Sequence, residues 1–210
     1  CGEVNTWLCA GCAQALPLID HPICPRCGNG WDGLGVCPRC AASPLRAAPI
    51  RSTFLFQDAV REVIHALKYR GGSGVVGPLA QRMADAWHAW GLKSDLLVPV
   101  PLHAEREAQR GYNQSLLLAR ALAPLVGVPL AEDLLFRIRA TASQTRLDRD
   151  ERRENVKDAF ACSDSHAIIG LSVTLIDDVA TTGATLDACA VALLARGARE
   201  VTAFTLAHAL

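Results

Sequence analysis

The stretch VTLIDDVATTGATLDA, from Val173 to Ala188, decides how the rest of the chain is read. An apolar run stops at two adjacent acids, Asp177 and Asp178, then passes through small and hydroxyl residues into a helical pattern. A strand end followed by ATTGAT offers backbone N–H groups, threonine hydroxyls and the positive end of a helix dipole, which together suit a phosphate. The dipole alone contributes only ~0.3–1 kcal/mol, so convergent hydrogen bonds must do most of the holding. Gly183 is expected to let the backbone approach the anion where a Cβ would obstruct it. The acids would repel that anion and so face another part of the ligand, either vicinal sugar hydroxyls or a Mg2+ bridged through water. An acidic strand end that merely caps the next helix explains a lone Asp-Asp pair, but not the whole string.

Outward from this stretch, strand and helix patterns alternate. IRSTFLF from Ile50 reads as a strand. Val60, Val63, Ile64 and Leu67 recur at helical spacing and run into LKYRGG, and Leu79, Met83, Trp87 and Trp90 make a second stripe closed by Gly91. LLVPVP is a buried strand stopping at Pro101; Asn113 caps a helix that Gly127 ends. A short strand near LLFRI, a helix over about 183–196 closed by Gly197, and the strand VTAFTLAHA complete the pattern. Such alternation predicts an α/β fold with a mostly parallel sheet, in which ligands bind beyond the carboxyl ends of the strands. Asp177 and Asp178 stand at such an end.

The cysteines are lopsided: seven of nine lie in the first forty residues, leaving only Cys162 and Cys189. A local metal knot concentrates thiols in this way, whereas disulfide staples spread through a fold. Cys24, Cys27, Cys37 and Cys40 form two C-x2-C pairs around the glycine-rich spacer GNGWDGLGV, a complete ligand set for one structural Zn2+. Cys9 and Cys12 form a third pair, with Cys1 upstream as either a free thiol or half of a pair whose first member precedes the chain. In a second site of that kind, water, His21 or an upstream cysteine would complete the ligands. The chain begins without Met, and residues ahead of Cys1 are expected. The domain boundary falls in the Ala/Pro-rich run after the knuckles, giving a zinc-ribbon module over 1–45 and a main domain over 46–210.

Half of the residues are apolar, a fifth are charged, and the formal net charge is zero. Bulk charge therefore gives no drive toward nucleic acid or an anionic surface. The longest apolar stretches are interrupted, no membrane span is predicted, and a cytoplasmic location is expected. The module carries only Arg26 and Arg39 against Glu3, Asp20 and Asp32, a balance that suits protein docking better than phosphate contact.

The string DD-x-x-TTG-x-T resembles the 5-phosphoribosyl-1-pyrophosphate (PRPP) signature of type I phosphoribosyltransferases. With LKYRGG, LLVPVPLHAEREAQRGYNQSLLLARALA and RATASQTRLDRDERRENVKDAFA, nearly the whole chain resembles the ComF family. That resemblance implies a double zinc ribbon joined to a type I phosphoribosyltransferase fold. It implies that Asp177 and Asp178 contact the ribose hydroxyls and the Mg2+ shell. Ala180, Thr181, Thr182, Gly183, Ala184 and Thr185 would cradle the 5-phosphate. The loop holding Arg106, Arg110, Tyr112, Asn113 and Gln114 would meet pyrophosphate, and the stretch from Arg139 to Asp158, with Arg152, would be a mobile loop that closes over the ligand. The arginines suit bidentate phosphate clamping, although half of that stretch also reads as a solvated helix.

Two functions are implied. One is a PRPP and Mg2+ binding protein serving DNA uptake in natural competence, with single-stranded DNA or uptake-machinery proteins as partners. The other is an active phosphoribosyltransferase in which a nitrogen nucleophile displaces pyrophosphate from the sugar. No Ser-His-Asp or Cys-His arrangement is evident. His103 reads as structural, Cys162 and Cys189 as small buried residues, and Trp87 and Trp90 as core or interface.

Overall fold

A computed structural model describes residues 7–69, 73–139, 151, 155–156, 158–163 and 168–209. Four strands build the central sheet: β1 (Ile50–Leu55), β2 (Leu96–Pro99), β5 (Ser172–Ala180) and β6 (Glu200–His208). Their order is β1-β6-β5-β2 and every pairing is parallel. Both faces are covered, which is why these strands read as near-continuous apolar runs. Alternate residues divide between two cores: Val173 and Leu175 of β5 join one, Ile176 the other.

One face receives α3 (Asp58–Tyr69), α4 (Ser73–Ala89) and α6 (Gln114–Val126). The helical stripes bury here as their spacing predicts, with Val60, Ile64, Leu67, Leu79, Met83 and Trp87 all removed from solvent. Trp87 packs edge-on to Phe204 of β6, ring centroids 5.6 Å apart. Asn113 caps α6: its side chain accepts from the Ser115 N–H and donates to the Val100 carbonyl at 3.0 Å, fastening the helix start to the exit of β2. Gly127, at φ 68°, ends the helix as expected.

The other face receives α7 (Ala184–Ala195) through Leu186, Cys189, Ala190 and Leu193. LLFRI pairs differently from the sheet strands. β3 (Leu135–Arg137) runs antiparallel to β4 (Phe160–Cys162) in a separate two-stranded sheet, bracketing most of the 139–158 stretch. The segment between β2 and α6, read as a loop, contains the helix α5 (Ala104–Arg110). Two five-residue helices, α1 (Ala10–Gln14) and α2 (Pro38–Ala42), start at the N-caps Cys9 and Cys37 and carry the second cysteines of the first and third knuckles, Cys12 and Cys40.

The cysteine segment is built into the same core. Cys24, Cys27, Cys37 and Cys40 pack in one apolar cluster with Leu45, Ile50, Ala180 and Ala184. Leu18 bridges to Phe54 on the outer side of β1, and the Ile50 N–H donates to the Arg26 carbonyl at 2.7 Å. An otherwise open sheet edge is thereby covered.

Candidate functional site

At the carboxyl ends of the strands lies a cavity of about 350 Å³, within the size range of small-molecule sites. Its wall brings together Asp177, Asp178, Ala180, Thr181, Gly183, Ala184 and Thr185 from the opening motif with Arg106, Arg110 and Gln114 from the α5–α6 region. These residues are about 65 to 80 positions apart in sequence, and parallel strand ends are what place them on one cavity.

Asp177 and Asp178 are both buried, and their surroundings differ. The Ser115 hydroxyl and the Asp178 N–H each donate to Asp177 Oδ1 at 2.8 Å. Burial, with the neighbouring Asp178 charge adding to it, pushes the Asp177 carboxyl up to about 8. Asp178 meets the Lys68 ammonium, Nζ to Oδ2 2.5 Å, and Gln114 donates to its Oδ1 at 3.4 Å. Burial alone would raise Asp178; the Lys68 charge and its hydrogen bond hold it below the ordinary carboxylate range. One acid thus stays ionised beside a neighbour that holds its proton readily.

Gly183 owes its identity to the core. Its φ is 77°, and a Cβ there would lie 2.9 Å from Leu45 Cδ1 and 3.1 Å from Ile50 Cδ1. The space that glycine leaves points inward, toward the linker after the cysteine knuckles, which differs from the expected close approach of an anion. Thr182 accepts from the Ala184 N–H at 3.3 Å, so its hydroxyl serves the start of α7 and is not among the cavity-lining groups. Asn113 likewise is occupied as the α6 cap. Tyr112 donates to the Leu67 carbonyl at 2.6 Å, tying the end of α3 to the α5–α6 link. Arg110 hydrogen-bonds Gln114 and sits 5.3 Å from the Tyr69 ring centroid. His103 caps α5, its Nδ1 accepting from the Glu105 N–H.

Arg139 donates to the Asn155 carbonyl at 3.2 Å and is exposed. Arg152, most of the 140–157 stretch, and Cys1 lie outside the described residues. Sequence reading passed over Lys68, Ser115 and Arg137, all of which line the cavity. Lys68 was in view within LKYRGG, but nothing local links a helix end to an acid 110 residues later. Phe56 and Tyr69 also line the cavity, giving it an aromatic wall that no aromatic-rich segment announced. Burial, with Arg106 nearby, lowers the Arg137 pKa, and its guanidinium lies 5.4 Å from the Phe160 ring centroid. Cys189 is fully buried, while Cys162 on β4 is only half-buried.

The second constellation is the cysteine knot. The ligand sulfurs of Cys24, Cys27, Cys37 and Cys40 all lie within 4.8 Å of one another, and all four residues are buried, unpaired thiols. The Cys27–Cys37 sulfur separation is 3.7 Å. A tetrahedral Zn–S site with bonds of about 2.3 Å has ligand edges of about 3.8 Å, so the four residues fit such an ion. Burial would raise the Cys24 thiol, yet N–H donors from Cys37, Cys27 and Arg26 bring it down to about 6; burial pushes Cys27 and Cys40 up. Among the described residues no other group of three or more Cys, His, Asp or Glu side chains is close enough to share an ion. Cys12 donates its N–H to Cys9 Sγ at 3.3 Å, and His21 does not join them in a ligand cluster.

Acid-tipped β5, its turn into α7 and the covered parallel sheet define a phosphoribosyltransferase-type domain, and the phosphoribosyl transferase domain family model matches residues 113–209. Relatives match over nearly the full length. DNA utilization protein YhgH of Salmonella typhi is 33% identical, over 97% of this chain and 91% of its own. Competence protein ComFC of Bacillus subtilis is 30% identical, over 95% and 83%, and Competence protein F of Haemophilus influenzae 29%, over 96% and 90%. The chain belongs to the ComF family. Among solved structures, the B. subtilis glutamine PRPP amidotransferase complexed with ADP and GMP shares 18% identity at a TM-score of 0.42, over 63% of this chain and 26% of its own, too loose a likeness to bear on the site. No helix among the described residues is long and apolar enough to cross a membrane.

Proposed function

We propose that the chain binds PRPP with Mg2+ in the cavity at the end of β5, and that it serves DNA uptake, a reading supported by relatives named for competence and DNA utilization. The observation that carries this is the convergence of two buried acids, five residues of the turn into α7 (Ala180, Thr181, Gly183, Ala184 and Thr185) and three arginines on one cavity of about 350 Å³. In this reading Asp177 and Asp178 take the ribose hydroxyls and the metal shell. Ala180, Thr181, Gly183, Ala184 and Thr185 take the 5-phosphate, and Arg106, Arg110 and Arg137 offset the diphosphate charge. Two adjacent carboxylates at a strand end are hard oxygen donors of the kind Mg2+ takes. When bound, the ion would neutralise charge on the diphosphate oxygens. Ser115, donating to Asp177 Oδ1 at 2.8 Å, would hold that carboxyl in place beside the sugar. The four-cysteine knot would hold one structural Zn2+, leaving the cysteines free of catalytic duty.

Calorimetry tests the reading: PRPP with Mg2+ is expected to bind the wild type and to lose affinity with Asp177→Asn or Asp178→Asn. Absence of binding heat in the wild type would sink it. Pyrophosphate release in the presence of a panel of nitrogen bases then separates a transferase from a binding protein.

A further inference from the structure

Lys68 ends a helix on one side of the sheet, and Asp178 ends a strand in its middle. Their side chains meet at 2.5 Å, with Asp178 6% exposed and Lys68 25% exposed on the cavity wall. Lys68 is thus the cation paired with Asp178, while Arg137 interacts electrostatically with Asp177. A carboxylate so deeply buried is stable only with a close opposite charge, and Lys68 supplies it. The backbone beside Lys68 is pinned, because Tyr112 donates to the Leu67 carbonyl at 2.6 Å. What can move is the lysine's flexible four-carbon stem.

We infer that Lys68 is an internal place-holding cation. It occupies Asp178 in the ligand-free protein and must leave when a divalent cation or sugar hydroxyls take that carboxylate. Ligand entry is then an exchange of partners rather than the filling of an open acid pair. A purely structural bridge would behave differently, staying closed while the site fills. The inference rests on reading the acids as a cation and sugar site, and its test is separable from that reading.

The chain has three lysines, Lys68, Lys93 and Lys157, so reductive 13C-dimethylation gives three lysine reporters, besides the α-amine, that keep their charge. On the wild type, Mg2+ alone, and then Mg2+ with PRPP, is expected to shift the Lys68 signal while Lys93 stays put. In calorimetry at alkaline pH, folded Lys68→Met is expected to bind Mg2+ alone at least about tenfold tighter, since a single adjacent opposite charge alters a carboxylate's affinity for a cation by about that factor or more. If Lys68→Met does not fold, the wild-type spectra decide alone. A Lys68 signal that stays fixed while calorimetry reports binding overturns the inference, as does an unchanged Mg2+ affinity in a folded Lys68→Met. Absence of PRPP binding by the wild type refutes the proposed function instead. In that case tighter Mg2+ binding by Lys68→Met still supports the exchange, and no Mg2+ binding by either protein overturns it.

Discussion

Replacing Gly183 with Ala distinguishes two physical reasons for that glycine. If the residue is small so that an anion can come close, Gly183→Ala should weaken ligand binding and cost stability no more than the backbone strain at φ 77°. The structure predicts the reverse emphasis. At φ 77° an L-residue costs roughly 1–2 kcal/mol. The new Cβ would also lie 2.9 Å from Leu45 Cδ1 and 3.1 Å from Ile50 Cδ1 in a closed core, and overpacking of that kind costs about 1–3 kcal/mol. The sum is roughly 2–5 kcal/mol, read as a lower midpoint in urea unfolding. Leu45→Ala removes the nearer obstacle, so the double variant should be less destabilised than the two singles add up to, by about 1–2 kcal/mol. What persists in the double variant is the backbone cost, the 3.1 Å approach to Ile50 Cδ1 and the cavity left by Leu45→Ala. Full stability in Gly183→Ala, or strict additivity with Leu45→Ala, would refute the packing explanation and return the glycine to the ligand.

Elemental analysis is expected to find about one zinc per chain in the Cys24, Cys27, Cys37 and Cys40 set. Stripping it should weaken PRPP binding by about tenfold, because Arg26 of the knuckle holds the Leu45 carbonyl at 2.6 Å and Leu45 supports Gly183; unchanged affinity after complete zinc loss would show that the knuckle does not support the turn. His208, buried between Asn29 and Ser52, is lowered by burial, then by Arg39 and His21, from 6.5 to about 4. Its unfolded form takes a proton first as pH falls, so stability is whole above pH 6.5 and declines toward pH 4, by about 3 kcal/mol from this residue. His208→Gln should show a shallower decline in denaturation measured across that window, and an identical slope would refute the assignment. Ser115→Ala removes a donor from buried Asp177 at a cost of about 1–3 kcal/mol. It should also move the Asp177 titration, followed by 13C NMR, further above about 8, and a static titration would show that the hydroxyl does not set it.

Local pattern carried much of this protein. The helical stripes through Val60 and Leu79, the Asn113 cap, the Gly127 stop and the buried run into Asp177 are statements about neighbours within a few residues, and periodicity encodes such statements directly. The four-cysteine set was legible for the same reason, since two short knuckles specify their own geometry. LLFRI was legible as a strand but its pairing was not, because a strand's partner is chosen across the chain: Leu135–Arg137 pairs antiparallel with Phe160–Cys162, outside the main sheet. Lys68, Ser115 and Arg137 were missed on the same ground, each reaching the acids from an element distant in sequence. Gly183 carries the lesson furthest. The sequence by itself determined that a glycine sits between an acid-tipped strand and a helix. Only the tertiary structure decided which way its missing side chain points, because the linker that leaves the cysteine knuckles packs Leu45 into that space, and packing between remote segments leaves no trace in local order.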